Sequence, residues 1–79
     1  MNIKILFFAQ LEEISGMREQ TLTFESGSTL EQVMLNLCAN QPKLSKISLR
    51  YSVNEEFSNL NRVLQNQDVI ALLPPVGGG

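Results

Sequence analysis

The apolar residues of this chain are spaced in ways that predict several strands. Residues 2–9 alternate in part and then run apolar through positions 6–9, which is typical of a central strand covered on both faces at one end. Residues 20–24 alternate polar and β-favouring apolar side chains, and residues 49–53 do the same, so each segment predicts a strand. Residues 68–73 predict a last, largely apolar strand that ends at two prolines.

One helix is predicted between the second and third strands. Its apolar residues recur at helical spacing and form one stripe: Leu30, Val33, Met34, Leu37 and Cys38. Ser28 or Thr29 can accept hydrogen bonds from the free N–H groups at the helix start, with a glutamate and a glutamine at positions 31–32 where a capping box needs them. Pro42 disfavours helical backbone in the residue before it, so the helix should end by residues 40–41.

The order of the predicted elements is strand, strand, helix, strand and strand. Residues 15–16 and 54–55 are expected to form turns, while residues 60–64 fit either a short strand or a single helical turn. One helix and one sheet, with apolar strands at both ends, predict the α+β class: a mixed sheet with one main helix packed on one face, and the first and last strands side by side and parallel. This is the β-grasp arrangement, which we assign to residues 1–73, with residues 74–79 as an extended tail.

The composition limits the chemistry that side chains can supply. The chain of 79 residues has no histidine and one cysteine, which removes the usual general base, the usual zinc ligands and every Ser-His or Cys-His nucleophile pair. The six basic residues are scattered and the net charge is −2, so the basic patch that nucleic-acid binding requires is missing. We therefore expect a protein that is not an enzyme on its own, with no metal site and no nucleic-acid partner.

The sequence also bears on the compartment. No stretch approaches the roughly 18 apolar residues that span a bilayer, and the short apolar N-terminus is followed by residues 10–13 without a small-residue cleavage site. A lone cysteine gives no internal disulfide framework, which agrees with a reducing environment. These features predict a cytoplasmic protein with no membrane partner.

The C-terminal segment has features that folding does not explain. Pro74 and Pro75 cannot continue a sheet ladder, and they stiffen the exit from the last strand. Val76 precedes three glycines, Gly77 to Gly79, which carry no side chains and can pass through a narrow channel or approach a bound ligand closely. Glycines at a terminus are by themselves more often disordered than functional. Their attachment to an apolar strand through Pro-Pro-Val marks the carboxylate of Gly79 as a candidate site.

The chain resembles the small, sulfur-carrier subunit of molybdopterin synthase, a ubiquitin-like β-grasp family, over essentially its whole length. The N-terminal match comprises residues 4–10 (Lys-Ile-Leu-Phe-Phe-Ala-Gln) followed by Glu13 and Gly16. The C-terminal match comprises the turn at residues 53–54 and the segment 68–79, which runs from Asp-Val-Ile-Ala to Pro-Pro-Val-Gly-Gly-Gly. The Pro-Pro-Val-x-Gly-Gly ending is the more specific of the two.

The resemblance implies a cycle of activation at Gly79. A ubiquitin-activating-type enzyme uses ATP to adenylate this glycine, and sulfur from a cysteine-desulfurase pathway converts it to a thiocarboxylate, a 1-thioglycine. In the large catalytic subunit of the synthase, the thiocarboxylate gives sulfur to cyclic pyranopterin monophosphate to form molybdopterin. The resemblance also makes Gly78 the second glycine of the motif, implies a heterotetramer with two copies of each subunit, and implies no cofactor bound by this chain itself.

Two positions depart from the family pattern. Gln67 stands where the family usually has glycine before the aspartate, so the turn into the last strand is expected to differ. Glu12 stands where members often carry a basic residue, which affects the expected contact with the activating enzyme.

Other reactive residues have simpler interpretations. Cys38 lies on the apolar stripe of the helix, so we expect a buried small hydrophobic residue and not a nucleophile or a persulfide relay. The acidic pairs at positions 12–13 and 55–56 are adjacent in sequence and are expected to be solvated at turns, not to act together on one substrate.

A partner surface is expected near the tail. Phe7 and Phe8 face opposite sides of their strand, so one of them should lie in the core. The other, which we take to be Phe8, is expected to form an exposed apolar patch with Leu73. Such a patch on a small domain indicates a partner interface more than a catalytic site.

Three other functions are compatible with parts of this pattern. A sulfur carrier of another pathway, such as the thiamine type, shares the Gly-Gly end but not usually Pro-Pro-Val. A ubiquitin-like covalent modifier would join its C-terminus to lysines. An enzyme acting alone is disfavoured by the missing histidines.

Overall fold

The computed structural model describes residues 1–75, and within them the chain forms one five-stranded sheet with two α-helices and a short 3-10 helix. The elements, in order, are β1 (Asn2–Phe7), α1 (Gln10–Ser15), β2 (Glu19–Thr23), α2 (Leu30–Asn40), the 3-10 helix (Pro42–Lys46), β3 (Arg50–Val53), β4 (Glu56–Phe57) and β5 (Val69–Leu73).

The sheet has the strand order β2-β1-β5-β3-β4. Its centre is the parallel pair β1–β5, in which Ile5 is opposite Ile70 and Phe7 is opposite Leu72. The other neighbouring strands are antiparallel. The mixed sheet and the parallel first and last strands confirm the predicted fold class, the β-grasp.

Helix α2 packs on one face of the sheet and closes the core. The predicted stripe supplies four buried residues: Leu30, Val33, Met34 and Leu37. They meet the inward side chains of the central strands, which include Ile3, Ile5, Ile70 and Leu72. Cys38 is only partly buried and packs at the margin of this core, so the predicted burial is incomplete because this position lies at the edge of the apolar stripe.

Helix α2 begins and ends where the capping residues and the proline of the sequence predict. The hydroxyl of Thr29 accepts a hydrogen bond from the Gln32 N–H at 3.4 Å, and the Gln32 side chain accepts one from the Thr29 N–H at 2.8 Å. This capping box satisfies two of the N–H groups that a helix start leaves free. The helix ends at Asn40, as predicted from the proline at position 42.

Several short elements were not predicted. Helix α1 has six residues and only Leu11 is buried, so it is too short to show an apolar period. The 3-10 helix has five residues and β4 has two, so neither is long enough to show a period. Residues 60–64 form neither of the predicted alternatives, because only Val63 makes an isolated bridge, to Thr29. β1 ends at Phe7, two residues earlier than predicted, since Ala9 has a φ of 52° that leaves the strand conformation.

A polar network joins the β3–β4 turn to the start of β5. Asn54 donates to Oδ1 of Asp68 at 2.9 Å and accepts from the Val69 N–H at 3.0 Å. Oδ2 of Asp68 accepts from the Gln65 N–H at 2.8 Å, so this buried carboxylate is fully engaged. Gln67 has a φ of 72°, the left-handed conformation that favours glycine. The network holds this turn in shape although glutamine occupies the position.

The packing of α2 predicts a contrast between two leucines of the same helix. Leu37 is 2% exposed and Leu35 is 64% exposed. Leu37→Ala should lower the free energy of unfolding by about 2–5 kcal/mol through lost burial and a cavity, whereas Leu35→Ala should change it by no more than about 0.5 kcal/mol. Urea unfolding followed by circular dichroism measures both values. Equal effects would mean that the helix packs through another face.

Candidate functional site

The face of the sheet opposite α2 carries an apolar patch. Because side chains alternate along a strand, the buried residues of β1 and β5 leave their neighbours pointing away from the helix. We call these residues the outer patch: Leu6, Phe8, Val69, Ala71 and Leu73. No element of the described chain covers them, and Phe8 is 45% exposed.

The outer patch contains a shallow cavity of about 390 Å³. Its floor is formed by Leu6, Val69 and Ala71 from the two central strands, and Phe8 stands at one side. The β3–β4 turn closes another side through Asn54 and Glu55. The floor is fixed by the parallel pairing of β1 with β5, so the depression is preformed. Contiguous apolar surface of this kind on a small domain is typical of a protein-binding site.

The patch continues towards the edge strand β4. Phe57 is 65% exposed, and the guanidinium of Arg50 lies 4.7 Å from the centre of its ring. This distance is typical of a cation–π interaction. Aromatic and arginine side chains are the residue types that most often dominate the binding energy of protein interfaces.

The exit of the tail lies at one end of the outer patch. The Phe8 N–H donates to the Leu72 carbonyl at 3.1 Å, which extends the parallel ladder past the end of β1 and brings Phe8 level with the last residues of β5. After Leu73, Pro74 is half-buried and Pro75 is exposed. The other predicted tail residues, at positions 76–79, lie outside the described residues.

The remaining predicted residues do not converge on a site. Glu12 and Glu13 are exposed, as are Glu55 and Glu56, and a carboxylate oxygen of Glu12 is 3.6 Å from Nε of Arg18. The thiol of Cys38 belongs to α2, on the opposite side of the sheet from Phe8. Residues 1–75 contain no group of three or more cysteine or acidic side chains placed to hold a metal ion.

Known proteins are similar to this chain in both sequence and fold. Residues 5–79 match the model of the ThiS family. The chain belongs to the ThiS family. The molybdopterin synthase sulfur carrier subunit of Arabidopsis thaliana is 32% identical over 81 residues, covering 100% of this chain and 84% of that protein.

Solved structures share both the fold and the length of the chain. The small archaeal modifier protein 1 of Haloferax volcanii superposes with a TM-score of 0.87 at 25% identity, covering 100% of both chains. A chain from the complex of subunits 1 and 2 of the molybdopterin-converting factor of Helicobacter pylori superposes with a TM-score of 0.72 at 26% identity, again over 100% of both chains. Within the described part of this chain, no helix has the length and apolar character needed to cross a membrane.

Sequence reasoning named only part of the outer patch. Phe8 and Leu73 were expected there, and both lie on this face. Leu6 and Val69 were missed as surface residues, because an apolar residue in a strand is first assigned to the core. Their positions at every second place between buried residues were the available signal.

The adjacent phenylalanines give a direct test of which face is buried. Phe7 is 2% exposed and Phe8 is 45% exposed. We expect Phe7→Ala to lower the free energy of unfolding by about 3–5 kcal/mol, while Phe8→Ala costs about 1 kcal/mol because its ring is only partly removed from water. Chemical denaturation of the two variants decides this. A larger loss for Phe8→Ala would place that ring in the core and remove it from the proposed partner surface.

Proposed function

We propose that this chain is the sulfur-carrier subunit of a molybdopterin synthase and that its working group is the carboxylate of Gly79. The observation that carries the proposal is the family match, which extends through the glycine tail to residue 79. It is supported by relatives with the name molybdopterin synthase sulfur carrier subunit, at about 30% identity over the whole chain. The fold supports it further, because β5, the strand that precedes the tail in sequence, ends beside an apolar patch.

The chemistry that we propose occurs at Gly79 within partner sites. A carboxylate is a poor electrophile, so an oxygen of Gly79 first attacks the α-phosphorus of ATP on a ubiquitin-activating-type enzyme, and pyrophosphate leaves. The outer sulfur of a persulfide on the sulfur donor then attacks the glycyl adenylate, and AMP departs to leave an acyl disulfide. A second thiol of the donor cleaves the S–S bond, which releases the thiocarboxylate and leaves a disulfide on the donor. In the large subunit, the thiocarboxylate gives its sulfur to cyclic pyranopterin monophosphate, and the carboxylate is regenerated.

In this proposal the side chains of the protein position the C-terminus in the partner's site and take no part in making or breaking bonds. Gly77 and Gly78 carry no side chains, so the end of the chain fits a narrow channel. The catalytic acid, base and phosphate-binding groups belong to the partners. This division makes the chain a non-catalytic donor subunit. The proposal places it in the cytoplasm, with protein partners and no nucleic-acid or membrane partner.

The outer patch is proposed as the surface that the large subunit binds. The H. pylori relative was solved as a complex of subunits 1 and 2, and its subunit superposes on this chain over its full length. Phe8 and Leu73 lie where the patch meets the tail exit, so binding at these residues would aim the tail at the partner's active site. Because β5 leads directly into the tail, binding of the partner at this strand would also position the tail, and no separate element would have to become ordered.

A second candidate function is covalent modification of other proteins. The observation that favours it is the similarity to a small archaeal modifier protein over the full length of both chains. Both functions begin with an activated C-terminal glycine, but they differ in the acceptor: a sulfur nucleophile in one and a lysine amine in the other. The names of the curated relatives favour sulfur transfer in molybdopterin synthesis over a thiamine-type carrier.

The proposed chemistry predicts a covalent mass change at the tail. Co-expression with the activating and sulfurtransferase proteins should add roughly 16 Da, because sulfur replaces oxygen in the covalent product. Deleting Gly79, adding a residue after it, or changing Gly78→Val should abolish this mass and the sulfur transfer, with little change in the melting temperature. Intact-mass spectrometry and a synthase assay measure the two effects.

The matched control for the tail is the thiol. Cys38→Ser should still gain the added mass, since Cys38 belongs to the packing of α2. Loss of sulfur loading in Cys38→Ser, together with activity in the Gly79 deletion, would overturn the assignment. Isopeptide-linked adducts on other proteins, without a thiocarboxylate, would favour the modifier function.

The proposed interface makes a separate prediction. A double variant, Phe8→Ala with Leu73→Ala, should weaken binding to the large subunit by about a hundredfold, since two central apolar anchors are removed. Leu35→Ala, an equally apolar change on the opposite side of the molecule, should bind normally. Calorimetric titration measures the affinities, and light scattering tests the expected assembly of two copies of each subunit. Equal affinities for both variants would exclude the outer patch as the interface.

A further inference from the structure

One edge of the sheet is left open for pairing. Along an antiparallel ladder, hydrogen-bonded residue pairs alternate with pairs that are not hydrogen-bonded. Phe7 donates to the Arg18 carbonyl and Phe24 donates to the Met1 carbonyl, so every second residue of β2 counted from these bonds is hydrogen-bonded to β1. The N–H and C=O groups of the intervening β2 residues, Glu19, Thr21 and Thr23, therefore point outward. No strand of the described chain pairs with them.

The two edges of the sheet differ in how they are protected. β4 has only two residues, and the Arg50 guanidinium lies 4.7 Å from the centre of its Phe57 ring. Shortness and charge are two ways by which proteins blunt an edge strand. β2 is a full strand of five residues without proline, and its one charged residue, Glu19, is already paired with Lys4 at 3.5 Å. The β2 edge therefore has few of the features that prevent another strand from pairing with it.

A cavity lies directly beside the open edge. Its volume is about 660 Å³, and it lies between β2, the C-terminal half of α2 and the ends of α1 and the 3-10 helix. Leu22 and Leu37 form part of an apolar floor, while Met17 and Pro42 contribute to the wall. A strand added to β2 would direct every second side chain towards this cavity, because residues i and i+2 of a strand lie on one face.

Side chains that line the cavity carry polar groups without partners among the described residues. Oε1 of Gln20 is buried and accepts no hydrogen bond. A buried unsatisfied acceptor is costly, so a donor from a ligand would be stabilising there. Lys43 lines the same cavity and takes part in none of the ion pairs within residues 1–75. Its free ammonium group favours an acidic residue in whatever binds.

We propose that the β2 edge and this cavity bind an extended segment of a partner protein by strand addition. The segment pairs its backbone with Glu19, Thr21 and Thr23, places an apolar side chain in the cavity and an acidic one near Lys43. This surface is separate from the outer patch, so a carrier held by one partner through the patch can bind another partner at β2. The proposal does not depend on which reaction Gly79 undergoes.

A peptide segment fits the cavity better than a second copy of the chain. Two copies paired through β2 would each bring their own α2 to the same side of the sheet. The inward side chains of the second β2, such as Gln20 and Leu22, would then face their own helix and could not enter the first cavity. A free extended segment has uncommitted side chains on that face. Such main-chain pairing combined with side-chain pockets is a general mode of peptide recognition.

The test uses the full chain and a synthetic peptide of about eight residues, a common strand length. Valine and threonine alternate in the peptide, and an aspartate stands at each end. In NMR titrations, the amide signals of Glu19, Thr21 and Thr23 should shift and become protected from exchange, while those of the outer patch stay unchanged. A peptide with N-methyl groups on the bonds facing β2 should bind about tenfold more weakly or not at all. This comparison uses unmodified protein, so it does not depend on the folding of a variant.

Two protein variants complete the design. Thr21→Pro removes an outward N–H without touching the β1 ladder and should weaken binding about tenfold, while Thr21→Val keeps the N–H and should bind normally. Lys43→Glu should reduce the affinity for the aspartate peptide and raise that for a peptide with terminal lysines. Absence of peptide-induced shifts at β2, equal binding of the N-methylated peptide, or self-association through the same amides would each overturn the proposal.

Discussion

The parallel pairing of β1 with β5 is the constraint on which the rest of the structure depends. It brings the two ends of the sequence to the centre of the sheet, with Ile5 opposite Ile70. Parallel neighbours cannot be joined by a tight turn, so the chain between them must cross over the sheet. Helix α2 makes that crossing, and its stripe buries the inner face of both strands. β2 and β3 then add on either side, and the strand order follows.

The same pairing explains how a fold this small can both be stable and present a tail. β5 contributes Ile70 and Leu72 to the core and Ala71 and Leu73 to the outer patch. The tail follows directly after Leu73 in the sequence. The Asn54–Asp68 network fixes the other end of this strand. Stability and positioning therefore use the same backbone hydrogen bonds.

The two unpartnered surfaces of the domain arise from different causes. The outer patch exists because one helix can cover only one face of a sheet, and residues 1–75 form no second helix long enough for the other. The β2 edge exists because an open sheet must end somewhere. Separate faces allow one small domain to contact more than one partner, as the proposed function and the proposed strand addition require.

Local and periodic features of this protein can be predicted from its amino-acid sequence. The stripe of α2, its Thr29 cap, the alternation of the longer strands and the glycine tail depend on neighbouring residues, which a pattern reveals. The tertiary structure was needed to show which face of the central strands α2 covers, and hence that Leu6 and Val69 lie on the surface, whereas Phe8 is expected there from the sequence. It also decided the short elements, the open edge of β2 and the cavity beside Gln20. These depend on contacts between residues distant in sequence, and a residue's chemical type does not reveal which neighbours the fold will give it.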